Sequence, residues 1–262
     1  MTATAGTEPL KVYWAPGCTS CLRMKEFLNK HGVKYVSVNA LEDKAAFDEL
    51  AALGVKRVPV ARRGNQWCDG QELAALARIA GIKLPEKKQL PPAELMRRAG
   101  MFLAPTLRFV RQMPDAKLAE TLPGRPRSHL QLACHIFQIA EAFLDWTEKG
   151  VALEYQAYMR DLPHIDTKAK LLTYGDAALK RLAGWWERTG RTADFTAPAD
   201  LYYGRQPLHD FLERTAWHCG QHARQLQAVL EKLGIAPDGR LAASDLAGLP
   251  MPENIYDDAI KI

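Results

Sequence analysis

The sequence predicts two domains of different class: an α/β domain over residues 1–84 and, beyond a linker at 85–91, an all-α four-helix bundle over 92–238, with 239–262 as a tail that drapes over the bundle. Three observations predict this. β-prone and helical runs alternate through the first 85 residues, the arrangement of an α/β layer. Residues 84–92 (LPEKKQLPP) are rich in proline and charge, as a domain boundary is. Past them strand signals nearly vanish, and four long runs of helical period remain.

The elements follow in order. Residues 11–14 (KVYW) form a β-prone run ended by Pro16 and Gly17. From Thr19 to His31 the pattern is helical, with Leu22, Phe27 and Leu28 inward and Gly32 as the stop. Val36 and Val38, alternating with Tyr35 and Ser37, read as a half-buried strand. Residues 42–53 are a second helix stopped by Gly54. Val58, Pro59 and Val60 read as a strand whose proline puts it at an edge or a special turn. Residues 69–72 (DGQE) resemble a capping box opening a third helix that ends at Gly81. The order is β-α-β-α-β-β-α. The four later helices lie near 92–113, 126–149, 167–189 and 206–233. Pro126 and Pro207 stand where a first-turn proline is tolerated, and Gly150, Gly190 and Gly234 stand just past three of the ends.

Composition bounds the function. At 262 residues, 47% hydrophobic and 25% charged, the chain can bury a sizeable core without disulfide staples. No run of eighteen apolar residues occurs, the first residues lack a basic stretch followed by an apolar one, and five cysteines make no secreted disulfide framework. The expectation is a soluble cytoplasmic protein with no membrane partner. Of the net charge of +5, residues 1–85 carry +4 (12 Lys and Arg against 8 Asp and Glu). That surplus suits an anionic small molecule or an acidic protein surface and is too weak to argue for nucleic acid.

Cys18 and Cys21 flank Thr19 and Ser20 between a strand and a helix. Unpaired N–H groups and the dipole at a helix start stabilise a thiolate, and this spacing lets the second thiol attack a mixed disulfide formed by the first. Cys18 is the candidate nucleophile and Cys21 the resolving thiol. A zinc site of four cysteines needs a second close pair, and Cys68 is alone. Residues 13–21 (YWAPGCTSC), 57–60 (RVPV) and 67–70 (WCDG) together resemble the glutaredoxins over roughly residues 10–82. That resemblance implies a thioredoxin-like fold and a cis Pro59 facing the cysteines. It also implies glutathione as cosubstrate, its γ-glutamyl–cysteinyl part paired with the Val58 backbone and its glutamyl end against the turn at Cys68 and Asp69.

His218 and His222, four apart, share the inward face of the fourth helix with Leu208, Phe211, Thr215, Leu226 and Val229. His135 lies on the inward stripe of the second, with Leu132, Ile139 and Phe143. Three imidazoles from two helices would make a facial site for zinc, nickel or iron with open positions; a buried hydrogen-bonded pair is the alternative. His129 competes with His135 for the third place. His31, His164 and His209 read as surface or capping residues, Trp146 and Trp217 as packing, and Arg224 as a carboxylate holder or half of a surface ion pair. Residues 203–208 (YGRQPL), 215–226 (TAWHCGQHARQL) and 133–136 (ACHI) with Glu141 resemble the DinB-like bundle superfamily over about 92–235. That resemblance implies a divalent metal on His135, His218 and His222 and use of a low-molecular-weight thiol, as in bacillithiol transferases and mycothiol-dependent isomerases.

Joined, the halves point to a glutathione-dependent, metal-assisted transferase or isomerase whose partners are a small thiol and an electrophilic small molecule, as a monomer or homodimer. Two rivals stand beside it. One is a disulfide oxidoreductase whose bundle binds partners or dimerises. The other is a metal or redox sensor in which Cys134 and Cys219, each next to a histidine, take part.

Overall fold

The structure is a computed structural model and describes residues 8–85, 88–122, 127–158 and 160–257. They cluster into two compact units: the N-terminal residues up to Lys88 together with a segment starting at Pro252, and Gln89–Met251.

In the first unit, β1 (Leu10–Trp14), α1 (Thr19–Lys30), β2 (Tyr35–Asn39), α2 (Lys44–Ala52), β3 (Val60–Arg63), β4 (Gln66–Asp69) and α3 (Leu73–Ala80) follow in the expected order. The sheet runs β2-β1-β3-β4, with β1 parallel to β2 and antiparallel to β3. Alternation along β1 sends Leu10 and Val12 to one face, with Met24, Leu28 and Leu76, and Tyr13 to the other, with Ala46, Leu50 and Val60. This is a small thioredoxin-like sheet covered by helices on both faces.

Four sequence expectations need correction here. Pro59 precedes β3 instead of lying within it, and β3 is an interior strand, not an edge; the Val58–Pro59 peptide is cis, as the resemblance implies. Val36 is 44% exposed, because β2 is the sheet edge and only Tyr35 and Val38 reach the cores. No capping box opens α3: its N-cap, Glu72, makes no side-chain capping bond, and Asp69 accepts from the Gln71 N–H at 2.9 Å. Finally, residues 252–257 of the tail pack with this unit, while 239–251, including the short α8 (Ala243–Leu246), stay with the second.

The second unit is helical: α4 (Pro92–Gln112), α5 (His129–Lys149), α6 (Lys168–Arg188) and α7 (Leu208–Lys232). α4 packs on α6 and α7, and α5 packs on the same two. Phe102, Phe109, Phe137, Phe143, Trp185, Phe211 and Trp217 are fully buried among them. A capping box on Ser128 and Gln131 starts α5, later than a start at Pro126, which lies outside the described residues. Pro207 is the N-cap of α7. Gly150 and Gly234 take positive φ after their helices as expected, but Gly190 opens a 3-10 turn against Trp185 and Trp186. The hairpin β5 (Pro198–Leu201) and β6 (Gly204–Pro207) has no counterpart in the sequence reading, where its two prolines and glycine look like a loop.

Two helical glycines should respond oppositely to alanine. At Gly175 a Cβ would meet Phe137 Cζ at 2.5 Å and Leu107 Cδ2 at 2.8 Å; Gly175→Ala is expected to cost about 1–3 kcal/mol by overpacking. At Gly100 of α4 nothing lies within 4 Å, and Gly100→Ala should stabilise by roughly 0.5–1 kcal/mol through helix propensity. Urea midpoints of the two variants check both signs.

Candidate functional site

Each unit carries a candidate site. In the first, Cys18 is the N-cap of α1, and its Sγ accepts the Cys21 N–H at 3.2 Å. The two cysteines form a disulfide, with Cα atoms 5.2 Å apart. Cys21 is buried while Cys18 is half-buried, so Cys18 is the sulfur that solvent and substrate reach first. The helix start at Cys18 supplies the electrostatic environment that favours a thiolate after reduction.

Around it, the cis Val58–Pro59 peptide is tied to the turn after β4, because Pro59 O accepts the Gly70 N–H at 2.9 Å. Asp69 is buried, which pushes its carboxyl up, and its two oxygens are occupied by the Gln71 N–H and by Arg57 Nε at 3.0 Å. Ser20 and Arg23 of α1 bond the same turn through Gln71, at 3.3 and 3.2 Å. Cys68 packs against the core and its thiol is pushed up to about 12 by burial. Pro59 and Asp69 are thus bonded into the turn after β4, Val58 packs with the core around Tyr13 and Val60, and the Cys68 side chain belongs to the interior.

The second unit brings His135 of α5 and His218 and His222 of α7 together. All three are buried, and one ring nitrogen of each lies within 4.8 Å of the others. His222 Nε2 is 3.1 Å from His218 Nε2, and the His135 ring centroid is 4.7 and 5.4 Å from those of His222 and His218. Protons on two of the rings are directed outward. His135 Nδ1 lies 2.8 Å from Tyr158 O, which can only accept, so Nδ1 carries the hydrogen and Nε2 a lone pair. His222 Nδ1 faces Gln225 Oε1 at 2.7 Å, with the same consequence. Burial, and then the Arg127 charge, hold His135 well below the ordinary imidazole value. His135 and His222 thus turn Nε2 toward the point where the His218 ring also lies, a nitrogen donor set that a divalent cation takes, so these residues fit the metal that the resemblance implies. A cavity of about 850 Å³, lined by His135, Tyr158, Arg127, Gln138, Cys134 and Arg160 among others, gives access from this side.

His129 is buried too but bonds Lys117 O at 2.8 Å and lies outside the group formed by His135, His218 and His222. His209 is a correction: it is buried, bonded to Leu90 O at 2.9 Å, not a surface residue. Arg224 donates to Gln221 at 3.1 Å. Cys134 and Cys219 are buried, with thiols pushed up by burial, Cys134 to about 12.

Sequence reasoning missed the residues behind the histidines. Gln225, one turn past His222 on a buried face, is detectable as a polar residue where an apolar one is expected, and so is the buried Arg214, one turn before His218. Arg214 bonds the hydroxyls of Tyr158 and Tyr202 at 2.8 and 3.0 Å. Tyr158 acts on His135 through a backbone oxygen, which no residue pattern signals.

Two outcomes are expected. After reduction, iodoacetamide at pH 8 should label Cys18 of the folded chain and leave Cys68, Cys134 and Cys219 until unfolding, as peptide mass spectrometry will read. The His135 pKa lies below its ordinary value of 6.5 in the folded state, so the unfolded chain binds more protons below about pH 6.5. Metal-free protein should therefore lose stability as pH falls from there, measured as a falling urea midpoint, and less so with His135→Phe.

Residues 10–66 match the glutaredoxin family model. No curated protein matches the chain. Among the described residues no helix is long and apolar enough to cross a membrane. The match and the Cys18–Cys21 pair assign thiol–disulfide redox chemistry to the first unit.

Proposed function

We propose that this protein is a thiol-dependent, metal-assisted transferase or isomerase acting on a small electrophile, with glutathione as the thiol. Its dithiol unit binds, delivers or reduces that thiol. The observation that carries the reading is the proton arrangement on the histidines: Tyr158 O and Gln225 Oε1 hold Nδ1–H of His135 and His222, leaving Nε2 lone pairs directed at one point beside His218. Three nitrogen donors suit zinc, nickel or iron(II) with positions left for other ligands. The likeness to the DinB-like superfamily supports the same three ligands, and the glutaredoxin match supports glutathione.

When bound, the cation supplies Lewis acidity and lowers the pKa of a thiol ligand, so that thiolate is present at neutral pH. The chain's own residues do the rest. Tyr158 and Gln225 fix ring orientation and tautomer, and Arg214 holds Tyr158 in place. The cavity beside His135 admits a small molecule. In the first unit, Cys18 thiolate attacks a disulfide, forming a mixed disulfide and expelling one thiolate. Cys21 then attacks Cys18 Sγ, releasing the second thiol and closing the Cys18–Cys21 disulfide.

Elemental mass spectrometry of the purified chain should find about one equivalent of divalent metal, lost in His218→Ala. Consumption of an electrophile such as 1-chloro-2,4-dinitrobenzene should require glutathione and fall at least tenfold with a chelator. Equal rates with and without glutathione, chelator and His218 would sink the proposal. The match over residues 10–66 favours a second reading, a disulfide oxidoreductase whose helical unit binds partners or dimerises. That reading expects full disulfide reduction after replacement of all three histidines, and no metal.

A further inference from the structure

Residues 252–257 are bound along α1 by several specific contacts. The Glu26 carboxylate accepts the backbone N–H of Glu253 at 2.6 Å, that of Asn254 at 3.0 Å, and Asn254 Nδ2 at 2.8 Å. Lys30 Nζ lies 3.4 Å from Glu253. These bonds carry the segment toward the start of α1, where Asp257 is only 6% exposed and its Oδ2 accepts the Gly17 N–H at 2.8 Å. Gly17, at φ +70°, is the residue before Cys18. A buried carboxylate, 240 residues away in sequence, is therefore bonded into the turn that presents the nucleophile.

Its charge has a consequence distinct from its hydrogen bond. The helix start favours Cys18 thiolate, while an anion bonded one residue away opposes it, and burial limits screening by salt. Among the charged groups of neighbouring elements, Arg23 donates to Gln71 O, Lys25 lies over the Trp14 ring, Arg57 pairs with Asp69, and Glu26 and Lys30 bind the segment itself; whatever their fields, removing the Asp257 charge favours the thiolate. We propose that Asp257 is a positioning residue of the dithiol: it holds the turn at Gly17 and, as an anion beside Cys18, disfavours the thiolate, making the reduced pair a stronger reductant. The inference rests on the redox reading of the first unit and is independent of the metal.

The reaction that reads it is exchange with glutathione. Two glutathione thiols give two electrons and two protons to the Cys18–Cys21 disulfide and leave as glutathione disulfide. Asp257→Asn keeps an oxygen to accept the Gly17 N–H and removes the charge; Asp257→Ala removes both. In the full-length chain at pH 8, both variants should shift the equilibrium toward reduced protein by roughly fivefold. That corresponds to a potential about 20 mV less negative for a two-electron couple. The pH profile of Cys18 alkylation should move to lower pH in parallel. An Asp257→Asn variant that matches the parent in both readouts overturns the proposal, and a shift confined to Asp257→Ala reduces Asp257 to a structural bond. If the parent's own disulfide does not exchange with glutathione, the redox reading fails first, and this inference with it.

Discussion

An imidazole buried in a helical core must give its N–H to an acceptor and its lone pair to something else. That requirement organises the second unit. His135 and His222 satisfy the first half through Tyr158 O and Gln225 Oε1. The second half then directs both lone pairs inward, to the point where His218 also arrives. Tyr158 is the centre of this arrangement. Its carbonyl sets the tautomer of His135, its hydroxyl accepts from Arg214, and its ring stands edge-on to His135 and His218 at 6.4 and 5.7 Å. A polar network of this kind is costly when half-satisfied and rigid when complete. The outward bonds of His135 and His222, with Nε2 of both facing the His218 ring, are what separate this cluster from histidines that merely fill a core.

α7 has to carry that network while buried on nearly every side. Its polar residues are therefore bonded: Thr215 to Phe211 O at 2.9 Å, Arg214 to two tyrosine hydroxyls, and Gln227 to the Leu241 N–H at 2.8 Å. The hairpin β5–β6 brings Tyr202 and Tyr203 under the Arg214 guanidinium. The short strands thus serve the site, although they add little to the architecture.

The first unit handles charge in the same economical way. Asp69 and Arg57 tie down the turn after β4, Glu26 gathers three donors from residues 253 and 254, and Asp257 meets the amide before Cys18. Of these, Asp257 is the carboxylate bonded beside Cys18, where its charge bears on the sulfur.

Much of this was legible in the residue order. The Cys18–Cys21 spacing at a strand-to-helix junction, the i,i+4 pair at His218 and His222, the inward stripe with His135, and the four long amphipathic runs depend on local periods of 2 and 3.6, which a sequence displays directly. Other features depend on partners distant along the chain. The hairpin at 198–207 was hidden by prolines and glycine that also suit a loop, His209 by the distant Leu90 carbonyl it bonds, and Asp257 by the 240 residues separating it from Gly17. The sequence by itself determined which side chains face inward and which chemistry they bring. Only tertiary structure decided where their protons point and which carboxylate lies beside the dithiol, because a backbone carbonyl or an amide has no side-chain signature and becomes a partner only once folding has brought it near.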